Sequence, residues 1–209
     1  MDEQIEKIRS HVRDVLGPAG SHGMDHTERV TRICRIIGKL EHADMDILIP
    51  AALLHDIARP LEKEKGLPHE TEGARMAEAY LTSIHYSPYL IPAIGAAIRT
   101  HRFQSGKKPA TPEAKILSDA DKLDALGAVG IARTFMRAGE HGRDINDAVM
   151  HFHDKLLKLK DLMYTDSARN IAGERHAFLT TFLEILERET GHSNPGKIGI
   201  SREKKNPGK

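Results

Sequence analysis

Between residues 51 and 60 the chain reads Ala-Ala-Leu-Leu-His-Asp-Ile-Ala-Arg-Pro. His55 and Asp56 at the end of this apolar run press two hard-to-bury polar groups against a core. Burying them unpaired costs roughly several kcal/mol, comparable to the stability of a small domain. Something must compensate them. A divalent metal is the economical partner; a capping histidine beside a solvated aspartate is the alternative.

The rest of the chain reads as helix throughout. The spacing of apolar residues predicts helices over 2–16, from about Asp25 (as N-cap) to Leu40, and from Asp44 or Asp46 to a break at Pro60. Pro50 is expected near the first turn of the third, where its missing N–H costs little. A charged connector over 61–67 precedes a fourth helix opened by His69. Ser87-Pro88 and Thr111-Pro112 are start signals, the second for a long helix to about Ala138; two more follow at roughly 146–163 and 166–190. Nothing alternates with a period of two, so the expectation is an all-α bundle of about seven or eight helices. One domain spans 1–191, and the Gly-, Lys- and Asn-rich stretch 192–209 is expected to be a flexible tail.

Composition removes several classes of function. The formal net charge is +1, so there is no bulk electrostatic case for long nucleic acid or an anionic membrane. No run approaches the ~18 apolar residues of a membrane span. The acidic start Met-Asp-Glu-Gln and the single cysteine, Cys34, fit a cytoplasmic location. Thirteen histidines are the one oddity.

Several of these histidines fall on core-facing stripes. His26 precedes Val30 by four and Ile33 by seven residues, His101 follows Ile94 by seven, and Asp121 lies four from both Leu117 and Ala125. With His55-Asp56, four helices each deliver a metal-competent group to an apolar face, and His69 adds another at a helix start. Imidazole with carboxylate suits Mn, Fe, Mg, Co, Ni or Zn.

Three blocks then form a pattern: Asp25-His26-Thr27-Glu28-Arg29, Leu53-Leu54-His55-Asp56, and Asp119-Ala120-Asp121-Lys122-Leu123. Together they resemble the His…His-Asp…Asp signature of the HD-domain metal-dependent phosphohydrolases, over about residues 20–135. The resemblance implies an all-helical HD fold in which His26, His55, Asp56 and Asp121 hold one divalent ion. Asp121, rather than Asp119 or Asp124, matches the motif's aspartate. A subset of the family holds two ions, and His69 with Gly73, then His101, are similar to its further ligands, with Asp56 bridging. The adjacent histidine pair of that subset's cyclic-dinucleotide enzymes is His101-Arg102 here, and their Gly-Tyr-Pro block is missing.

By the same resemblance, the expected activity is cleavage of a phosphate ester or anhydride in a small molecule, a nucleotide first, by a metal-activated water. Arg59 and Lys122 are the first choices for holding phosphate. Arg175 on the last helix and His22 at the mouth of the site are weaker ones. The alternatives are a di-iron oxygenase on the same scaffold and a metal-binding ligand sensor without catalysis. The oligomeric state is left open by the sequence.

Overall fold

The computed structural model describes residues 2–17, 23–102 and 106–191. His22 and the expected tail 192–209 lie outside the described residues. The described residues form helices α1 (Asp2–Leu16), α2 (Met24–Leu40), α3 (Met45–Leu54), α4 (Arg59–Lys65), α5 (His69–Ser83), α6 (Ile91–Thr100), α7 (Pro112–Asp124), α8 (Gly127–Glu140), α9 (Ile145–Asp154) and α10 (Asp166–Glu189). A 3-10 turn, Leu156–Leu162, precedes α10, and no strand occurs among the described residues. Nor is any of these helices long and apolar enough to cross a membrane.

α3 is the central rod. Every residue from Leu48 to Leu54 is buried, and α1, α2, α5, α6 and α7 pack around it. A helix that is apolar on all sides has to be surrounded in this way. Pro50 sits inside α3 rather than in its first turn. Its missing N–H releases the carbonyl of Asp46, and the buried Tyr86 hydroxyl donates to that oxygen at 2.7 Å. A second group, α8, α9, the 3-10 turn and α10, packs beside the first. Asp119 of α7 clamps the two together. Its carboxylate accepts from the backbone N–H groups of Tyr164 and Thr165 at 2.9–3.0 Å and from the Thr165 hydroxyl at 3.0 Å.

The all-α class stands, with more and shorter helices than expected. The long helix to Ala138 divides because Gly127 has φ +70°, a left-handed conformation that ends α7 and opens α8. The expected 146–163 helix breaks at Lys155 (φ −130°) and tightens into the 3-10 turn. The charged connector contains α4, which begins with Arg59-Pro60, so Pro60 starts a helix instead of stopping one. α2 is capped by Gly23 rather than Asp25, and α6 begins at Ile91, three residues after Pro88. The caps Asp44 and Thr111 are where the sequence puts them.

Candidate metal centre

Four helix ends and one turn converge on Asp56. α3 stops at Leu54, and His55 and Asp56 occupy the turn that follows, closed by the Arg59 N–H donating to the Asp56 carbonyl at 2.9 Å. His26 comes from the first turn of α2, His69 from the start of α5, His101 from the C-cap of α6 and Asp121 from the last turns of α7. The four imidazoles and Asp56 are all buried. Gly73 of α5 lies against this turn, where a Cβ would stand 3.4 Å from the His55 carbonyl, an ordinary contact.

A hydrogen bond from the outer nitrogen fixes the orientation of three of the rings, while that of His69 meets a carboxylate without a well-aligned bond. The Nδ1–H of His55 donates to Ala52 O at 2.8 Å and that of His101 to Ile98 O at 2.7 Å. His26 Nδ1 donates to Asp124 Oδ2 at 2.7 Å, and His69 Nδ1 faces Glu62 Oε1 at 3.0 Å. A neutral ring with its proton on Nδ1 has its lone pair on Nε2. All four Nε2 atoms turn towards Asp56. Oδ2 lies 3.6 and 3.7 Å from those of His26 and His55; Oδ1 lies 3.4 and 3.7 Å from those of His69 and His101. One carboxylate thus serves two imidazole pairs, one per oxygen. Asp121 Oδ1 stands at the edge of the first group, 3.3 Å from His26 Nε2 but outside the compact set formed by His26, His55 and Asp56, its side chain about a quarter exposed towards the adjoining cavity.

This arrangement needs positive charge inside it. The Nε2 atoms of His26 and His55 stand 3.3 Å apart, and two lone pairs at that distance repel. Ligand nitrogens bonded at ~2.0–2.1 Å to one tetrahedral ion are about 3.3 Å apart. The His69 and His101 Nε2 atoms are buried without a hydrogen-bond partner among the described residues. Those orphaned atoms are what a cation would satisfy. Among the described residues, two donor groups are compact enough to hold one: His26, His55 and Asp56, and Asp56, His69 and His101.

The electrostatics of the centre agree. Burial pushes the His55 imidazole down to about 4, so it is neutral at pH 7. Burial opposes protonation of His26 too, but its hydrogen bonds to Asp121 and Asp124 more than reverse this and raise its basicity. Burial would raise Asp121, yet the hydrogen bond and charge of His26 hold it well below the usual carboxylate range. Either a proton on His26 or a metal ion can supply the missing charge.

The three acids of Asp119-Ala120-Asp121-Lys122-Leu123-Asp124 have separate work. Asp119 is committed to the α10 clamp. Asp124 accepts from His26 Nδ1, from Arg29 Nε at 2.7 Å and from Arg133 Nη1 at 2.6 Å. Asp121 alone of the three turns towards the imidazoles' inner face. Asp124 and Arg133 are site residues that the sequence reading passed over. The signal for Asp124 was its position, one helical turn after Asp121. Glu62 was also missed; it sits within the connector and joins His69 to Arg59 and Arg102.

A cavity of about 730 Å³ opens beside Asp121, between the two groups of helices. Arg59 lines it, donating Nε to Asp56 Oδ1 at 2.9 Å and Nη1 to Glu62 at 2.8 Å. Lys122 lines it too, but its three N–H donors are taken by Ser118 O, Ser118 Oγ and Asp119. Lys122 thus reaches the cavity with its ammonium engaged mainly on its own helix. Arg175 is not brought to this cavity: its side chain lies over Gly127 and donates to the Leu123 carbonyl.

The HD domain family model matches residues 23–126. YpgQ of Bacillus subtilis (strain 168) is 38% identical over 198 residues, spanning 90% of this chain and 94% of its own. The crystal structure of Bacillus subtilis YpgQ in complex with ADP aligns with a TM-score of 0.73 at 35% identity, covering 90% of this chain and 95% of that one. The crystal structure of an HD-superfamily hydrolase from Bacillus thuringiensis aligns with a TM-score of 0.74 at 33% identity, covering 92% and 99%.

Proposed function

We propose, from the premise that this chain belongs to the HD-domain family, that it is a metal-dependent phosphohydrolase acting on a small phosphorylated molecule, a nucleotide first. The observation that carries this reading is Asp56, whose two oxygens each face a pair of inward-turned imidazoles. His26, His55, Asp56 and Asp121 would hold one divalent ion; His69 and His101 would hold a second, with Asp56 bridging. Such an ion supplies Lewis acidity, making a water nucleophilic near neutral pH and polarising a phosphoryl oxygen.

The chain's own groups do the rest. Arg29 and Arg133 neutralise Asp124, which orients the His26 ring. Arg59, beside Asp56 and open to the cavity, is placed to meet a substrate phosphate held at the centre. The cavity lies within the range of ~300–1,000 Å³ usual for small-ligand sites. The relative YpgQ was crystallised with ADP, which supports a nucleotide-sized ligand here.

The test is a screen of nucleoside mono-, di- and triphosphates and cyclic dinucleotides against several divalent ions, with and without oxygen. Turnover that needs the ion, stops with chelator and is indifferent to oxygen is expected. Bound iron with oxygen consumption would instead establish the oxygenase alternative, and nucleotide binding without turnover would establish the sensor. Metal content separates one ion from two. His101→Ala, which removes a ligand of the second group alone, is expected to take the count from two ions per chain to one; an unchanged count rules the second site out.

A further inference from the structure

α6 and α7 are joined through the backbone of His101. This residue is the C-cap of α6, where the last carbonyls of a helix lack partners within it. The Ser118 hydroxyl of α7 supplies a donor, reaching His101 O at 2.9 Å. Both residues are buried. Breaking this bond leaves a desolvated carbonyl and a desolvated hydroxyl, so burial itself holds the contact.

Lys122, one turn further along α7, fixes the direction of this bond. Its Nζ donates to Ser118 Oγ at 2.9 Å, to Ser118 O at 3.0 Å and to Asp119 Oδ1 at 3.4 Å. An ammonium only donates and a carbonyl only accepts. The Ser118 hydroxyl therefore accepts from Lys122 and gives its single proton to His101. The buried ammonium also lies 4.7 Å from the centre of the Tyr164 ring, against the Asp119 clamp. A row of hydrogen bonds with settled direction thus runs from the clamp, through Lys122 and Ser118, to the backbone that carries the His101 ring. That backbone sets the ring: Nδ1 donates to Ile98 O at 2.7 Å, and Nε2 faces Asp56 Oδ1 at 3.7 Å.

We propose that Ser118, oriented by Lys122, is a positioning residue for His101 and sets how tightly the second divalent ion is held. This rests on the two-ion reading of the centre and deepens it, since metal ligands depend on the partners that orient them. Asp121 stands three residues after Ser118 on the same helix. A hydroxyl that served only to seat α7 would therefore matter to both ions alike. One that acts on His101 matters to the second ion alone.

Release of Mn²⁺ from the loaded full chain to a graded chelator reads the two ions separately, and His101→Ala identifies which step belongs to the second. Ser118→Ala is expected to weaken the second ion by about tenfold, the lower end of what an orienting partner carries, while changing the first by less than about twofold. Ser118→Thr, which keeps a hydroxyl, should hold the second ion within about threefold of wild type. Lys122→Met, which leaves the hydroxyl free to rotate, should fall between the two. Unchanged release in Ser118→Ala, or equal weakening of both ions, overturns the positioning role and leaves the two-ion centre standing. A wild-type chain that releases a single ion overturns it together with the second site.

Discussion

Replacing Asp56 with alanine is expected to abolish together the divalent-metal binding and the hydrolytic activity proposed for this centre. Both oxygens of this buried carboxylate face imidazole nitrogens, so no neighbouring acid can stand in for it. Asp121 reaches the first group, but the nearest carboxylate to His69, that of Glu62, is on the outer, Nδ1 side of the ring. Loss of activity on the order of a thousandfold is expected, the scale of removing a principal electrostatic group from a reaction centre. Metal analysis of the purified variant checks it, with Asp56→Asn as a partner that fills the same volume. Full turnover in either variant would remove the active-site assignment.

Asp124→Ala is expected to damage stability as much as metal binding. Burial alone would push the Asp124 carboxyl up, but hydrogen bonds from His26 and Arg29 and the charge of Arg133 hold it below the ordinary carboxylate range. Removing it leaves two guanidinium groups and one imidazole N–H without their acceptor. Breaking a buried pair by deleting one partner costs ~3–5 kcal/mol, and the part-exposed Arg29 places this case near the lower figure. For a chain of this size, about 3 kcal/mol lowers the melting temperature by roughly 6–12 °C. Loss of the His26 anchor should weaken metal binding by ~10–100-fold, since orienting partners carry that much affinity. Thermal unfolding of the metal-free protein separates the two effects. A melting temperature within about a degree of wild type would mean that Arg29 and Arg133 need no counter-charge.

The helices and the four core positions could be read from the sequence because each is a local signal. His26, His101 and Asp121 share a stripe with Val30, Ile94 and Leu117, and periodicity reports a stripe directly. Helix ends were less readable. The division at Gly127 depends on a single positive φ, and the break at Lys155 has no Gly or Pro to announce it. Pro60 carried two meanings, stop or first turn, and only the packing of α4 beside α5 decides between them. The layer around the metal centre was hidden for another reason. Asp124 meets Arg29 across 95 residues of chain and His26 across 98, and Glu62 meets Arg102 across 40, pairings that no spacing rule encodes. Lys122 shows the converse: beside a candidate ligand in sequence, it spends its donors on its own helix.

The clamp between Asp119 and the Tyr164–Thr165 backbone has a consequence for how such a protein could change over time. The four imidazoles gathered around Asp56, with Asp56 and Asp121, all come from the stretch between α2 and α7, whereas α8 and α9 line the cavity and contribute none of them. Because α7 is bolted to the start of α10 two residues from Asp121, the half that carries the Asp56 cluster can keep its shape while the intervening segment, apart from Arg133 on Asp124, varies around it. Selectivity can drift by surface substitution along α8 and α9, and the chemistry need not be reinvented each time.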